Sequence, residues 1–108
     1  VLMECSIVRN NGIGTGWGGG LANVGAHLVL RNCLIAGNQA SGYGAGILHL
    51  DGTTILESST VIGNQRASTS AHAAAIRLGG SSVGSPAGGH MAISNAIVYH
   101  NPAGNYSV

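Results

Sequence analysis

The chain has 108 residues, of which 44% are hydrophobic and only 6% charged, with a formal net charge of +1. Its four basic residues are scattered, so no electrostatic footprint for nucleic acid is present. No apolar run approaches the ~18 residues that span a bilayer, and no charged leader with a cleavage site opens it. Neither a membrane span nor a precursor is expected of this stretch, and any secretion signal lies outside it.

Taken in chain order, residues 1–10 read as the closing strands of a repeat, with Leu2, Cys5, Ile7 and Asn10 at positions that recur further on. Three small residues and an aliphatic one follow as Gly18-Gly-Gly-Leu21, then the short strand His27-Leu-Val-Leu-Arg31, then Asn32-Cys-Leu-Ile-Ala-Gly-Asn38. The order returns as Gly44-Ala-Gly-Ile47, Thr53-Thr-Ile-Leu-Glu57 and Val61-Ile-Gly-Asn64, and again as Ala73-Ala-Ala-Ile76, Ile93 and Val98-Tyr-His-Asn101. Leu21 to Asn38 spans 17 residues and Ile47 to Asn64 spans 17 again, whereas Ile76 to Asn101 spans 25. The excess of 8 falls in the Gly/Ser/Pro-rich stretch 79–89 and marks a loop insertion.

A period of 26 to 29 residues broken by one insertion is the signature of a solenoid, in which each repeat buries its apolar face against its neighbours. Helical repeats are excluded because the apolar segments are short and bounded by Gly and Asn, and nineteen glycines would make helices costly. The pattern predicts a parallel β-helix of about four coils with three short strands per coil, forming one domain over residues 1–108. The chain opens in mid-coil without a polar cap, so continuation of the solenoid or a second copy is expected at the N-terminal end.

Asn32-Cys-Leu-Ile-Ala-Gly-Asn38 and Asn95-Ala-Ile-Val-Tyr-His-Asn101, each in its repeat after small residues and an aliphatic one, resemble the right-handed parallel β-helix repeats of bacterial secreted and cell-surface proteins. Autotransporter passengers and chlamydial polymorphic outer-membrane proteins carry such repeats. The resemblance covers nearly the whole chain. It implies a right-handed all-β solenoid and an extracellular or cell-surface location in a bacterium; it leaves function open, because this scaffold hosts lyases, hydrolases, adhesins and carbohydrate-binding modules.

Repeats stacked about 4.8 Å apart turn sequence columns into ladders. Asn10, Asn38, Asn64 and Asn101 are then a structural ladder, since asparagine suits a turn and its amide can bond the copies above and below. Cys5 and Cys33 share an inward column with Ser59 and Ala96; a disulfide is geometrically allowed, but core filling by two thiols is the preferred reading. Arg31 and Glu57 fall on equivalent outward positions, and by alternation Val29, Ile55 and Ala92 face out beside them. In the next strand, inward Ile35, Val61 and Val98 leave Leu34, Ile62, Ile97 and Tyr99 as an exposed apolar strip, the mark of a contact surface unless a neighbouring loop covers it.

Trp17, Tyr43 and His72 each stand four residues before the aliphatic landmark, between glycines or alanines. Rings spaced by about one pyranose length suit an extended sugar polymer. The competing reading is a turn sealed by stacked rings. Catalysis has little to work with: the acids are Glu4, Asp51 and Glu57, at different column positions, and His49-Leu-Asp51 has no nucleophile in register. His27 and His90 lie two rungs apart, too far for one metal, so neither metal nor cofactor is expected. Gly14-Thr-Gly16-Trp-Gly-Gly19 fits a dinucleotide fingerprint but leads into a strand, and Asn105-Tyr-Ser107 fits a glycosylation sequon without significance in a bacterial chain.

The expectation is a non-catalytic binding or adhesive module contacting a polysaccharide or cell-surface glycan through Trp17, Tyr43 and His72. The alternatives are a fragment of a polysaccharide-degrading lyase or hydrolase, and a structural spacer or self-assembling stalk.

Overall fold

The computed structural model describes residues 2–4, 6–8, 10–12, 18–66, 75–79, 89–102 and 106–107. Among these the chain is all-β. The strands are β1 (Leu2–Met3), β2 (Ser6–Val8), β3 (Asn11–Gly12), β4 (Leu21–Val24), β5 (His27–Arg31), β6 (Leu34–Ala36), β7 (Gln39–Ala40), β8 (Ile47–Leu50), β9 (Thr53–Glu57), β10 (Thr60–Ile62), β11 (Gln65–Arg66), β12 (Ile76–Gly79), β13 (His90–Ser94), β14 (Ile97–Tyr99) and β15 (Tyr106–Ser107). They form four wholly parallel sheets: A, in the order β1-β5-β9-β13; B, β2-β6-β10-β14; C, β3-β7-β11; and D, β4-β8-β12-β15. Consecutive strands fall in different sheets, and β4 to β7 pair one by one with β8 to β11. This arrangement is compatible with a β-solenoid.

The expected three strands per repeat are one too few. Sheet C adds a fourth, only two residues long, between the ladder asparagine and the next Gly-rich turn. Two residues such as Gln39-Ala40 cannot show an alternation, which is why the pattern hides them. The expected insertion separates β12 from β13, with residues 80–89 between them, where β4 and β5, like β8 and β9, are two residues apart. Most of it lies outside the described residues.

Alternation sorts β5 and β9. In β5, Leu28 and Leu30 are buried between exposed His27, half-buried Val29 and exposed Arg31; β9 repeats this with Thr54 and Leu56 inside. The core gathers Leu28, Leu30, Cys33, Ile35, Ile47, Leu56, Val61, Ala75 and Ile76, all from sheets A, B and D and the turns between them. Val29, Ile55 and Ala92 on the outer side of sheet A are half-buried. Arg31 Nε meets Glu57 Oε2 there at 2.9 Å, an exposed pair worth at most about 1 kcal/mol.

Turns are set by left-handed residues at fixed places. Asn32 (φ 53°), Ser58 (φ 48°) and Asn95 (φ 50°) each follow a strand of sheet A and redirect the chain towards sheet B. Asparagine is the side chain that tolerates this region best. Inside the turns run two polar ladders. Asn10 Nδ2 donates to Asn38 Oδ1 (2.9 Å), Asn38 Nδ2 to Asn64 Oδ1 (2.9 Å) and Asn64 Nδ2 to Asn101 Oδ1 (3.0 Å). The second runs through the small column: Cys33 N donates to Ser59 Oγ (3.0 Å), and the Cys33 thiol donates to the Met3 carbonyl (3.2 Å). Cys5 lies outside the described residues.

The glycines before β4 and β8 make room for the amides. A Cβ at Gly20 would lie 2.9 Å from Asn38 Nδ2, and one at Gly46 would lie 3.1 Å from Asn64 Cγ and 2.9 Å from the Ala75 carbonyl oxygen. Gly46→Ala should therefore push two backbones apart and cost roughly 1–3 kcal/mol in urea unfolding; an unchanged midpoint would mean that the turn has slack.

Candidate functional site

The outer face of sheet B presents two columns. Leu34, Thr60 and Ile97 are in register, and Ala36, Ile62 and Tyr99 stand beside them. Three short strands, each with its inner residue in the core, hold these side chains on one surface. Leu34 is 40%, Ile97 59% and Tyr99 65% exposed, while Ile62, between Ala36 and Tyr99, is half-buried. The Tyr99 and His100 rings lie 5.7 Å apart, tilted by 35°. His100, at φ 52°, holds the left-handed position that Gly37 and Gly63 occupy after the two preceding strands of this sheet. A shallow open cleft lined by His100, Asn101 and Pro102 lies at the end of β14. In sheet C, Gln39 and Gln65 are in register, half-buried and exposed respectively, so amide groups flank the apolar strip in sequence.

Of the three rings in the turn before sheet D, Tyr43 alone lies among the described residues; Trp17 and His72 lie outside them. The turn Gly42-Tyr43-Gly44 sits against β8, since a Cβ at Gly44 would lie 2.8 Å from Leu48 Cα. It bonds to the turn before β4 through Gly18 N and the Tyr43 carbonyl at 2.7 Å. Tyr43 is half-buried. Its ring centroid is 5.8 Å from Cζ of Arg77, on the next strand of sheet D. Arg77 stands in register with Leu48, and Leu48 with Ala22; Ala22 is exposed, yet Leu48 and Arg77 are buried. Arg77 keeps only 4% of its surface, and its Nε and Nη1 have no hydrogen-bond partner among the described residues. A cation–π contact of this length is worth about 0.5–2 kcal/mol, less than the several kcal/mol that desolvating a guanidinium costs.

A third cluster fills the corner between sheets D and A. Asn23 Nδ2 donates to Thr54 Oγ1 (2.8 Å) and to the Ala26 and Thr53 carbonyls (3.1 and 3.2 Å). His49 Nδ1 shares the same hydroxyl at 2.9 Å. His49 is fully buried, and its Nε2 has no partner among the described residues; a Cβ at Gly89 would lie 2.6 Å from it. Burial lowers the His49 pKa below the usual histidine value, opposed by the Asp51 carboxylate and reinforced by His90. His27 and His90 are each in register with Thr53, on either side of it, as the columns predict. Among the described residues no three His, Cys, Asp or Glu side chains are grouped to hold a metal. No helix among them is long and apolar enough to cross a membrane.

No protein-family model matches the chain, and neither a curated protein nor a solved structure matches it.

Sequence reasoning missed Arg77 and the Asn23–Thr54–His49 network. Each had a signal: Arg77 is the charged member of the column Ala22/Leu48/Arg77, and Asn23 and His49 are polar residues in an inward column. The network generates a pH dependence. The folded state resists protonating His49, whereas the unfolded chain takes the proton near pH 6.5. Stability is therefore complete above about pH 6.5 and falls below it, by at most about 1.4 kcal/mol per pH unit for this one group. Comparing unfolding free energies of the parent chain and His49→Gln from pH 7.5 to 5 should show a shallower fall in the variant. Parallel curves would remove His49 as the cause.

Proposed function

We propose that the chain is a right-handed parallel β-helix acting as a non-catalytic binding or adhesive module of a bacterial secreted or surface protein. Its ligand on this reading is an extended, uncharged stretch of polysaccharide. The observation that carries it is the outer face of sheet B: a neutral strip on parallel strands, ending in a ring that is 65% exposed beside a cleft. Sugar rings present apolar C–H faces that stack on such aromatics. The rung spacing of about 4.8 Å is near the repeat of one sugar unit, and hydroxyl and amide groups such as Thr60, Gln39 and Gln65 suit its hydroxyls. The four parallel sheets and the asparagine ladder support the β-helix reading. The column Trp17, Tyr43 and His72 is a second contact in this scheme, and Tyr43 is its described member.

A second reading, self-assembly as a stalk or spacer, draws on one specific feature. Ile93 in β13 is in register with fully buried Leu56, yet is 38% exposed, so the stacked core has an uncovered flank at that strand. A further repeat or a second copy would cover it.

The test is a pull-down on insoluble polysaccharides with the parent chain, a Tyr99→Ala/Ile97→Ser variant and a Trp17→Ala/Tyr43→Ala variant, with oligomeric state measured by analytical ultracentrifugation. Binding that drops at least tenfold in the first variant places the sugar on sheet B. A drop in the second variant alone moves it to the turn. No binding to any polymer, with concentration-dependent oligomers, replaces this function by assembly.

A further inference from the structure

Arg77 is the charged described residue whose chemistry the proposed sugar-binding reading does not use and the fold leaves unsatisfied. A guanidinium stays charged at every ordinary pH and offers five N–H donors. Here it is 96% withdrawn from its surface, with Nε and Nη1 unpartnered among the described residues. The chain has three acidic side chains, Glu4, Asp51 and Glu57. Glu57 is taken by Arg31, and among the described residues no carboxylate lies within ion-pair distance of Arg77. Leu48, its register partner on β8, is apolar and buried, so the guanidinium projects from sheet D in a column with a leucine. The ring of Tyr43 faces it at 5.8 Å, about 2 Å beyond close stacking distance, and attracts the cation without accepting a hydrogen bond. Buried charges in folded proteins are ordinarily paired and hydrogen-bonded. Among the described residues no partner of opposite charge meets this one.

We propose that Arg77, roofed by the Tyr43 turn, is a binding site for an oxyanion, a carboxylate or phosphate group supplied by a ligand from outside the chain. The anion sits against the N–H groups of Arg77 with the Tyr43 ring at its flank. The turn Gly42-Tyr43-Gly44, two of its three residues glycine, carries the ring that meets the guanidinium, and that ring is half-buried. Sheet D lies on a different side from the strip of sheet B, so the anion site stands or falls independently of the polysaccharide reading.

The test is thermal unfolding of the full chain and of Arg77→Met in a buffer whose only anion is chloride, then with sodium acetate, inorganic phosphate or a short uronic-acid oligomer added at equal ionic strength. Without added anion, Arg77→Met should melt roughly 4 °C or more above the parent, because an uncompensated charge has been replaced by a side chain that matches Leu48. Acetate or phosphate should raise the parent's midpoint by a similar amount and leave the variant unmoved. A shift with acetate and the oligomer alone identifies a carboxylate ligand; a shift with phosphate alone identifies a phosphate. Arg77→Lys, which keeps the charge but not the planar fork, covers the case in which Arg77→Met fails to fold; it should lose most of the anion response. If no anion moves the parent, or if all move parent and variants equally, Arg77 binds no anion and the proposal is overturned.

Discussion

Everything in this chain depends on amides stacked in its interior. Asn38 and Asn64 are fully buried, and each Oδ1 accepts two bonds from the asparagine of the preceding repeat, one from its backbone N–H and one from its side chain. Asn101 does the same for Asn64. The remaining side-chain donors go to nearby carbonyls: Asn64 Nδ2 also reaches the Ile35 carbonyl at 2.9 Å, and Asn101 Nδ2 the Tyr99 and Val61 carbonyls at 3.0 and 3.1 Å. A slip of one residue would break every bond in the ladder at once and turn each inward aliphatic outward. The ladder thus fixes register, and register fixes which side chains form the outer faces.

That constraint explains the composition. Glycines precede β4 and β8 because the amides of Asn38 and Asn64 pack where a Cβ would stand. Left-handed turns recur because each repeat changes direction at the same places. With direction and spacing set from inside, the outer columns are free to vary: Arg31 and Glu57 pair in sheet A, Leu34, Ile97 and Tyr99 lie open in sheet B, and Leu48 and Arg77 are covered in sheet D. Those outer columns are where the sheets differ, and each offers a different chemistry.

The inward architecture was legible because it repeats. The aligned asparagines, the small column holding Cys33 and Ser59, and the 17-residue spacing gave the parallel pairing of β6 with β10 and of β5 with β9 residue for residue. Sheet C was not legible, since two-residue strands have no period. Outer positions were legible only in direction. Alternation says that Ile62 and Arg77 point away from the core, but not that Ile62 is half-buried or that Arg77 is covered, because a period gives a side chain's direction and not what lies over it. The His49 network escaped for a related reason: its column, Asn23, His49 and Leu78, has no constant residue type, and the partner Thr54 comes from the next strand.

The most direct test of the ladder is the equilibrium urea unfolding of Asn64→Ala. The substitution strips the acceptor from two buried donors, the backbone N–H and Nδ2 of Asn38, and leaves Asn101 Oδ1 with only the bond from the backbone N–H of residue 64. A loss of about 2–4 kcal/mol in one cooperative transition is the expected result. A loss below about 0.5 kcal/mol, the range of an ordinary surface substitution, would contradict the central place given to the ladder.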